Sequence, residues 1–419
     1  MNAVSASTGS GAAMTFDAET YRSDFPILSR TVHDKPLVFL DSAASAQKPR
    51  AVIDAVNHCY EAEYANIHRG VHWLSERATA GYEGARATVA RFLNAASESE
   101  IVFTKNATEA INLVASSWGG AFLAAGDEVL ITVLEHHANI VPWHLLRERT
   151  GIVVKAVPID ESGALDMEAF HALLGPRTKL VSVTHASNAL GTMPPVDEII
   201  AAAHDNGAKV LIDGCQAIVH TPVDVQALDA DFYVFSGHKL YGPSGIGVLY
   251  GKAGLLDAMP PYQGGGDMIR TVTIEETTFA EPPSRFEAGT PHIAGAIGLA
   301  AAIDYVSAIG MSEIAAHEAN LLAYATAELE GINRLRIYGA APRKASILSF
   351  DLEGAHPHDV GTILDRAGIA VRVGHHCAQP VMQHYGISGT VRASFALYNT
   401  RADVDALVAG LSEVREIFG

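Results

Sequence analysis

Between residues 100 and 251, short runs rich in β-branched and aromatic residues alternate with longer segments of helical periodicity. The runs are "EIVFT", "EVLITV", "IVVKAVPI", "KLVSVTH", "KVLIDG", "DFYVFS" and "GIGVLYG". A run that is apolar at successive positions has no polar face to turn toward water, so it must lie between two covering layers. The intervening segments are suited to be those layers. "PPVDEIIAAAHDNG" has proline near its start, one apolar face and Asn-Gly as its stop, the pattern of a crossover helix. The alternation therefore predicts an α/β fold around a mainly parallel sheet. Ligands of such sheets gather beyond the carboxyl ends of the strands. Those positions are polar here: Thr104 to Glu109, Glu135 to Asn139, His185 to Asn188, Asp213 to Gln216 and Ser236 to Lys239.

Residues 260–292 combine prolines, a glycine triplet and the strand-like "RTVTIEETTF", which predicts a projecting loop or hairpin open to a partner subunit. From about residue 300, helices and strands return as "LAAAIDYVSAIG", "MSEIAAHEANLLAYATAELEGI", "ASILSFDLE", "VGTILDRAGIAVRVG" and "TVRASFALYNT", closed by an amphipathic helix, an α+β pattern. At 419 residues the chain has room for two domains. Its formal charge of −18, with no Lys/Arg run, opposes binding to nucleic acid or to an anionic membrane surface. The apolar stretch "HIAGAIGLAAAIDYV" is short for a bilayer and carries Asp304, so it reads as a buried helix. Residues 1–14 lack the marks of a secretion or transit signal and are expected to form a disordered tail. Cys59, Cys215 and Cys377 are odd in number and far apart, which disfavours a disulfide framework or a cysteine zinc site and points to a reducing cytoplasm. No metal site is expected.

Several residues can carry chemistry. Lys239 stands in "SGHKLYGPSGIG", and a solvated loop lysine is its plainest reading. Asp213, however, ends the strand of "KVLIDGCQA", with Gln216 just beyond. Asp213 can close a turn or cap a helix; equally, it can hold the protonated nitrogen of a pyridine cofactor tethered to a lysine. Thr108 lies near a helix start, either as an ordinary cap or as part of an anion seat shared with Ser236 and His238. His136 and His137 follow a strand, where paired histidines serve as satisfied loop residues, as metal ligands or as flat surfaces for stacking. Arg392 interrupts an apolar run, a setting that favours a planar carboxylate clamp over a surface ion pair. In "VRVGHHCAQP", Cys377 has Arg372, His375 and His376 as neighbours, cations able to raise its thiolate fraction. Cys59 and Cys215 read as buried small hydrophobes. His68 and Arg69 can be helix-capping or surface residues.

In order, "EHHANIVPW", "HASNALGT", "DGCQA", "FSGHKLYGPSGIGVLYG", "FEAGTP" and "RVGHHCAQP" resemble the SUF-type cysteine desulfurases, the group that also contains selenocysteine lyases; the likeness runs from about Phe25 to the C-terminus. The resemblance implies an aminotransferase-like fold (fold type I of the pyridoxal-phosphate enzymes) and a homodimer. It implies an N-terminal segment over 15–33 packed on the small domain, a large cofactor-binding domain over 34–303 and a small C-terminal domain over 304–419. It assigns Lys239 as the lysine that tethers pyridoxal 5'-phosphate, Asp213 to the pyridine nitrogen, Gln216 to the ring oxygen and His136 to stacking and possible proton movement. Thr108, Ser236 and His238 fall to the phosphate, with Thr290 reaching in from the partner subunit. Arg392 is assigned to the substrate carboxylate with Asn188 beside it, Arg372 lies near the substrate, and Cys377 is the nucleophile that takes sulfur as a persulfide. His68 and Arg69 fall near the mouth of the site. The activity implied is conversion of L-cysteine to L-alanine, with sulfur fed to iron–sulfur cluster assembly; the alternative is selenocysteine lyase. In the branch of the family that serves a zinc-containing, scaffold-like acceptor, a histidine at the place of His358 captures the acceptor's metal.

Overall fold

The computed structural model describes residues 16–418, so the tail expected over 1–14 lies outside the described residues. The alternating runs form one seven-stranded sheet. Its strands are β1 (Ile101–Thr104), β2 (Glu128–Thr132), β3 (Val153–Val157), β4 (Thr178–Thr184), β5 (Lys209–Asp213), β6 (Phe232–Ser236) and β7 (Gly247–Gly251), in the spatial order β1-β7-β6-β5-β4-β2-β3. The pairs β2/β3, β2/β4, β4/β5 and β5/β6 are parallel, and β7 runs antiparallel to both β6 and β1. Alternate residues of one strand feed opposite cores. Val181, Val210, Ile212, Tyr233 and Phe235 pack on one side, while Leu180, Leu211, Phe232, Val234 and Leu249 pack on the other. A strand buried on both faces can be apolar throughout, and this is why its run reads as continuous.

The covering helices include α1 (Trp73–Leu93), α2 (Ala107–Val114), α3 (Val196–Asp205) and α4 (Ile293–Ile309). Helix α4 is the alanine-rich stretch, and most of its residues are buried against α1 and the sheet. A Cβ at Gly298 would meet Pro243 and Val56 at 2.5 and 2.7 Å, so this glycine lets α4 approach the loop beyond β6. No single helix among the described residues is long and apolar enough to cross a membrane. The strand-like "RTVTIEETTF" forms a hairpin of β8 (Ile269–Val272) and β9 (Thr277–Phe279), which leaves Val272 and Ile274 exposed.

Further along, β10 (Leu335–Tyr338), β11 (Ile347–Leu352), β12 (Arg372–Gly374) and β13 (Thr390–Ser394) make an antiparallel sheet in the order β10-β11-β13-β12. Its core is closed by α5 (Pro357–Arg366) and α6 (Arg401–Phe418). The N-terminal residues reach this part of the chain: Arg22 pairs with Asp403 of α6 at 3.2 Å, and Val38–Phe39 adds in parallel to Ile369–Ala370.

Candidate active site

A cavity of about 230 Å³ opens where the carboxyl ends of β4, β5 and β6 face the antiparallel sheet. Its walls bring together Thr108, His136, Asn188, Asp213, Gln216, Ser236, His238, Lys239, Arg372, Cys377 and Arg392, residues spread over most of the sequence. Thr290 is not on these walls. It lines a neighbouring pocket with Gly245 and His292. His358 is exposed in the first turn of α5 and is not among the residues that line the cavity. His68 and Arg69 also lie outside the cavity; His68 pairs with Glu83 at 2.8 Å and Arg69 with Asp267 at 3.3 Å.

The floor is built by strand ends. Asp213 closes β5, and its Oδ1 accepts the Cys215 backbone N–H at 3.0 Å. The Gln216 amide donates to the Ala43 carbonyl at 2.8 Å, while its Oε1 is buried and has no partner among the described residues. At the end of β6, Ser236 Oγ accepts the Ala107 N–H, tying the start of the lysine loop to the first turn of α2. The cap of that helix is Asn106, whose side chain accepts the Glu109 N–H, rather than Thr108, which lies one position inside the helix start. A Cβ at Gly247 would meet the Asn106 backbone at 2.5 Å, so only glycine lets β7 pass so near the helix start.

Burial, followed by the Lys239 charge, holds the pKa of His136 down at about 4, and His238 is held at about 4 by the same two causes together with Lys48. Both rings are therefore neutral near pH 7. His136 Nδ1 accepts the Ala138 N–H at 3.1 Å. A neutral imidazole that accepts at Nδ1 carries its proton on Nε2. Behind it, Glu135 is wholly buried and its pKa is pushed up to about 8 by that burial. Thr132, Asn139 and the Thr184 N–H hydrogen-bond to Glu135, which fixes the turn that carries His136.

Cys377 occupies an unusual turn. His376 and Cys377 both have left-handed backbone, at φ of 52° and 55°, conformations that L side chains seldom adopt. The turn is held from several directions. His137 N–H donates to the Cys377 carbonyl at 2.8 Å, Asn188 Nδ2 donates to the His376 carbonyl at 2.5 Å, and Cys377 N–H donates to His375 Nδ1 at 3.0 Å. His376 corrects the expectation that it is a cation beside the thiol. Its ring is buried against Thr390 Oγ1, and burial followed by Arg392 and Arg372 lowers its pKa to about 3. Positive charge near Cys377 comes instead from arginine, with Arg392 in electrostatic contact with the cysteine. Cys59 and Cys215 are buried free cysteines as expected, though Cys215 also touches the cavity.

Arg392 lies on β13 and is 2% exposed. Its Nη1 donates to the Asn188 carbonyl at 2.8 Å and its Nη2 to Asp41 Oδ1 at 3.0 Å, while Nε is buried without a partner among the described residues. Arg372 Nε reaches the same Asp41 carboxylate at 3.2 Å. Asp41 is not among the residues that the sequence marks; it lies just past a strand of only two residues, Val38–Phe39.

The residues fit pyridoxal phosphate. The Asp213 carboxylate, the Lys239 amine and the Gln216 amide line one cavity, and the start of α2 with Ser236 and His238 offers a corner suited to an anion. Known proteins share this fold. A protein named cysteine desulfurase from Dickeya dadantii (strain 3937) is 55% identical over 412 residues, covering 97% of this chain and 100% of the relative. One of the same name from Enterobacter sp. (strain 638) is 54% identical over 407 residues, with 97% and 100% covered. Among solved structures, the cysteine desulfurase CsdA (S-sulfonic acid) from Escherichia coli superposes with a TM-score of 0.90 at 41% identity, covering 97% of this chain and 100% of that one. The apo cysteine desulfurase from Thermococcus onnurineus NA1 gives a TM-score of 0.91 at 41% identity, with 96% and 99% covered. Since the aminotransferase class-V profile also matches residues 38–407, nearly the whole folded chain, this protein belongs to the aminotransferase class-V family.

Proposed function

We propose that the chain is a pyridoxal-phosphate-dependent cysteine desulfurase of the SUF type, which converts L-cysteine to L-alanine and collects the sulfur on Cys377 as a persulfide. The observation that carries this reading is the convergence of Cys377, Lys239, Asp213 and Arg392 on one cavity. When bound, the cofactor supplies an electron sink for the pair left at the substrate Cα. Asp213 would hold its pyridine nitrogen and Gln216 its ring oxygen. Thr108, Ser236 and His238 would hold its phosphate, and His136 would lie on its face. Lys239 would tether the cofactor at rest and, once displaced by substrate, take the Cα proton on Nζ.

Arg392, oriented by Asn188 and Asp41, would seat the substrate carboxylate at its free Nε edge. Cys377 Sγ, as thiolate, would then attack the substrate sulfur. A sulfur–sulfur bond forms as the Cβ–S bond breaks, the electron pair stays on carbon, and protonation at Cβ completes alanine. With its proton on Nε2, His136 is set to give a proton into the cavity rather than to take one. The relatives named above are desulfurases, and a nucleophilic cysteine inside the cavity favours this reading over selenocysteine lyase. The deciding measurement is mass spectrometry of the Cys377 peptide after addition of cysteine, with alanine assayed in parallel. Both should rise together, and alanine without sulfur on this peptide would sink the reading.

The physiological setting proposed is a cytoplasmic homodimer that serves iron–sulfur cluster assembly. Free cysteines at all three positions fit a reducing compartment, and the exposed β8–β9 hairpin beside the Thr290 pocket is suited to meet a second copy that would receive Thr290 at its phosphate site. For the acceptor, His358 is exposed and its backbone is fixed by the His356 ring, which accepts the His358 N–H at 3.2 Å. If it captures a zinc ion on a scaffold-like acceptor, His358→Ala should lower acceptor-stimulated turnover by about tenfold and leave turnover without acceptor unchanged. Equal stimulation of variant and parent would remove His358 from this role.

A further inference from the structure

Arg372 and Arg392 are direct cross-strand partners in the register of β12 and β13. Like charges placed opposite one another on neighbouring strands repel. Here the repulsion is met by a single group: Asp41, whose Oδ1 lies 3.0 Å from Arg392 Nη2 and 3.2 Å from Arg372 Nε, with Oδ2 at 3.3 Å from the same Nε. Asp41 is itself fixed by a parallel bridge to Ser394 at the end of β13. Both arginines line the cavity, whereas Asp41 is not among its lining residues and lies two positions before the wall residue Ala43. Arg392 Nε is buried and has no partner among the described residues.

We propose that Asp41 sets the charge selectivity of this clamp: by cancelling one of two converging guanidinium charges, it leaves a net single positive charge that accepts one carboxylate and disfavours ligands with a second anionic group. The inference deepens the desulfurase reading and rests on it for the identity of the clamp. Cysteine at neutral pH brings one carboxylate and a neutral side chain, so its charge matches the clamp. An amino acid with an acidic side chain brings a second anion into a partly buried site where Asp41 opposes it, and a charge so placed acts through a dielectric well below that of water. Asp41 acts through the arginines and is a positioning residue.

The test compares L-alanine and L-aspartate as ligands of the holoenzyme by calorimetric titration, with cysteine turnover followed in the same preparations. In Asp41→Asn, aspartate should gain on alanine by about tenfold or more, and the gain should shrink as salt is raised. Arg372→Gln, at a half-exposed position, should move the ratio the other way. The double variant Asp41→Asn with Arg372→Gln restores the net charge and should return the ratio to that of the parent. A purely structural role for Asp41 would weaken both ligands alike, with no restoration in the double variant, and that result overturns the proposal. If Asp41→Asn does not fold, an unchanged ratio in Arg372→Gln does the same. A parent enzyme that fails to convert cysteine would sink the desulfurase reading, while the ligand ratios would still decide the role of Asp41.

Discussion

Lys239→Ala is expected to lower alanine formation from cysteine by at least roughly a thousandfold, because one side chain is asked both to tether the cofactor and to carry the Cα proton. The visible absorption of the tethered cofactor should disappear at the same time. Lys239 lies in residues 237–246, between β6 and β7, whose ends pair in register as Ser236 with Gly247. Removing its side chain leaves this framework and the Ser236 bond to α2 in place. The variant should therefore remain folded and still take up pyridoxal phosphate, now reversibly, as a dialysis experiment would show. Turnover within tenfold of the parent would mean that another group handles the proton.

Cys377→Ala carries the second large effect. With cysteine as substrate, the variant should lose turnover by about a hundredfold or more and show no added sulfur on the peptide spanning residue 377, since no other thiol is suitably placed. Cys59 is buried away from the cavity, and Cys215, although it touches the cavity, is buried and has its thiol pKa driven up by that burial. With selenocysteine the loss should be much smaller, because selenium leaves without help from a nucleophile. Equal losses on both substrates would assign Cys377 a role in holding the site rather than in attacking sulfur. Because the turn is held by backbone bonds from His137 and by Asn188, the alanine variant should keep the same loop conformation.

The sheet was legible because burial on both faces leaves strands such as β6 uninterrupted in their apolar character, and glycine and proline mark their ends. Asp213 and Arg392 were legible because each is a charged residue in or beside an apolar run, a placement that needs a reason, whereas Lys239 drew its reading from Asp213 and from the motif around it. What the residues alone could not reveal depended on distance and burial. The charge of His376 vanishes because its ring packs under Arg392 and Thr390, a fact of tertiary packing with no local signature. The cap of α2 is Asn106 and not Thr108, a distinction the sequence does not carry because both residue types cap helices and only the backbone angle separates them. Asp41 follows a strand of two residues, too short for any period to mark it, and its importance arises only when β12 and β13 bring two arginines side by side.

The reversal of β7 has a mechanical outcome. A parallel successor to β6 would have required a long crossover between Ser236 and the next strand, and the lysine would ride on a connection free to vary in length. An antiparallel neighbour instead bolts both feet of the arch to adjacent rails. Leu240, Tyr241 and Ile246 of that arch are buried in the main core, so lengthening it by one residue would disturb that packing as well as swing the amine out of reach, and catalysis and folding draw on the same ten residues.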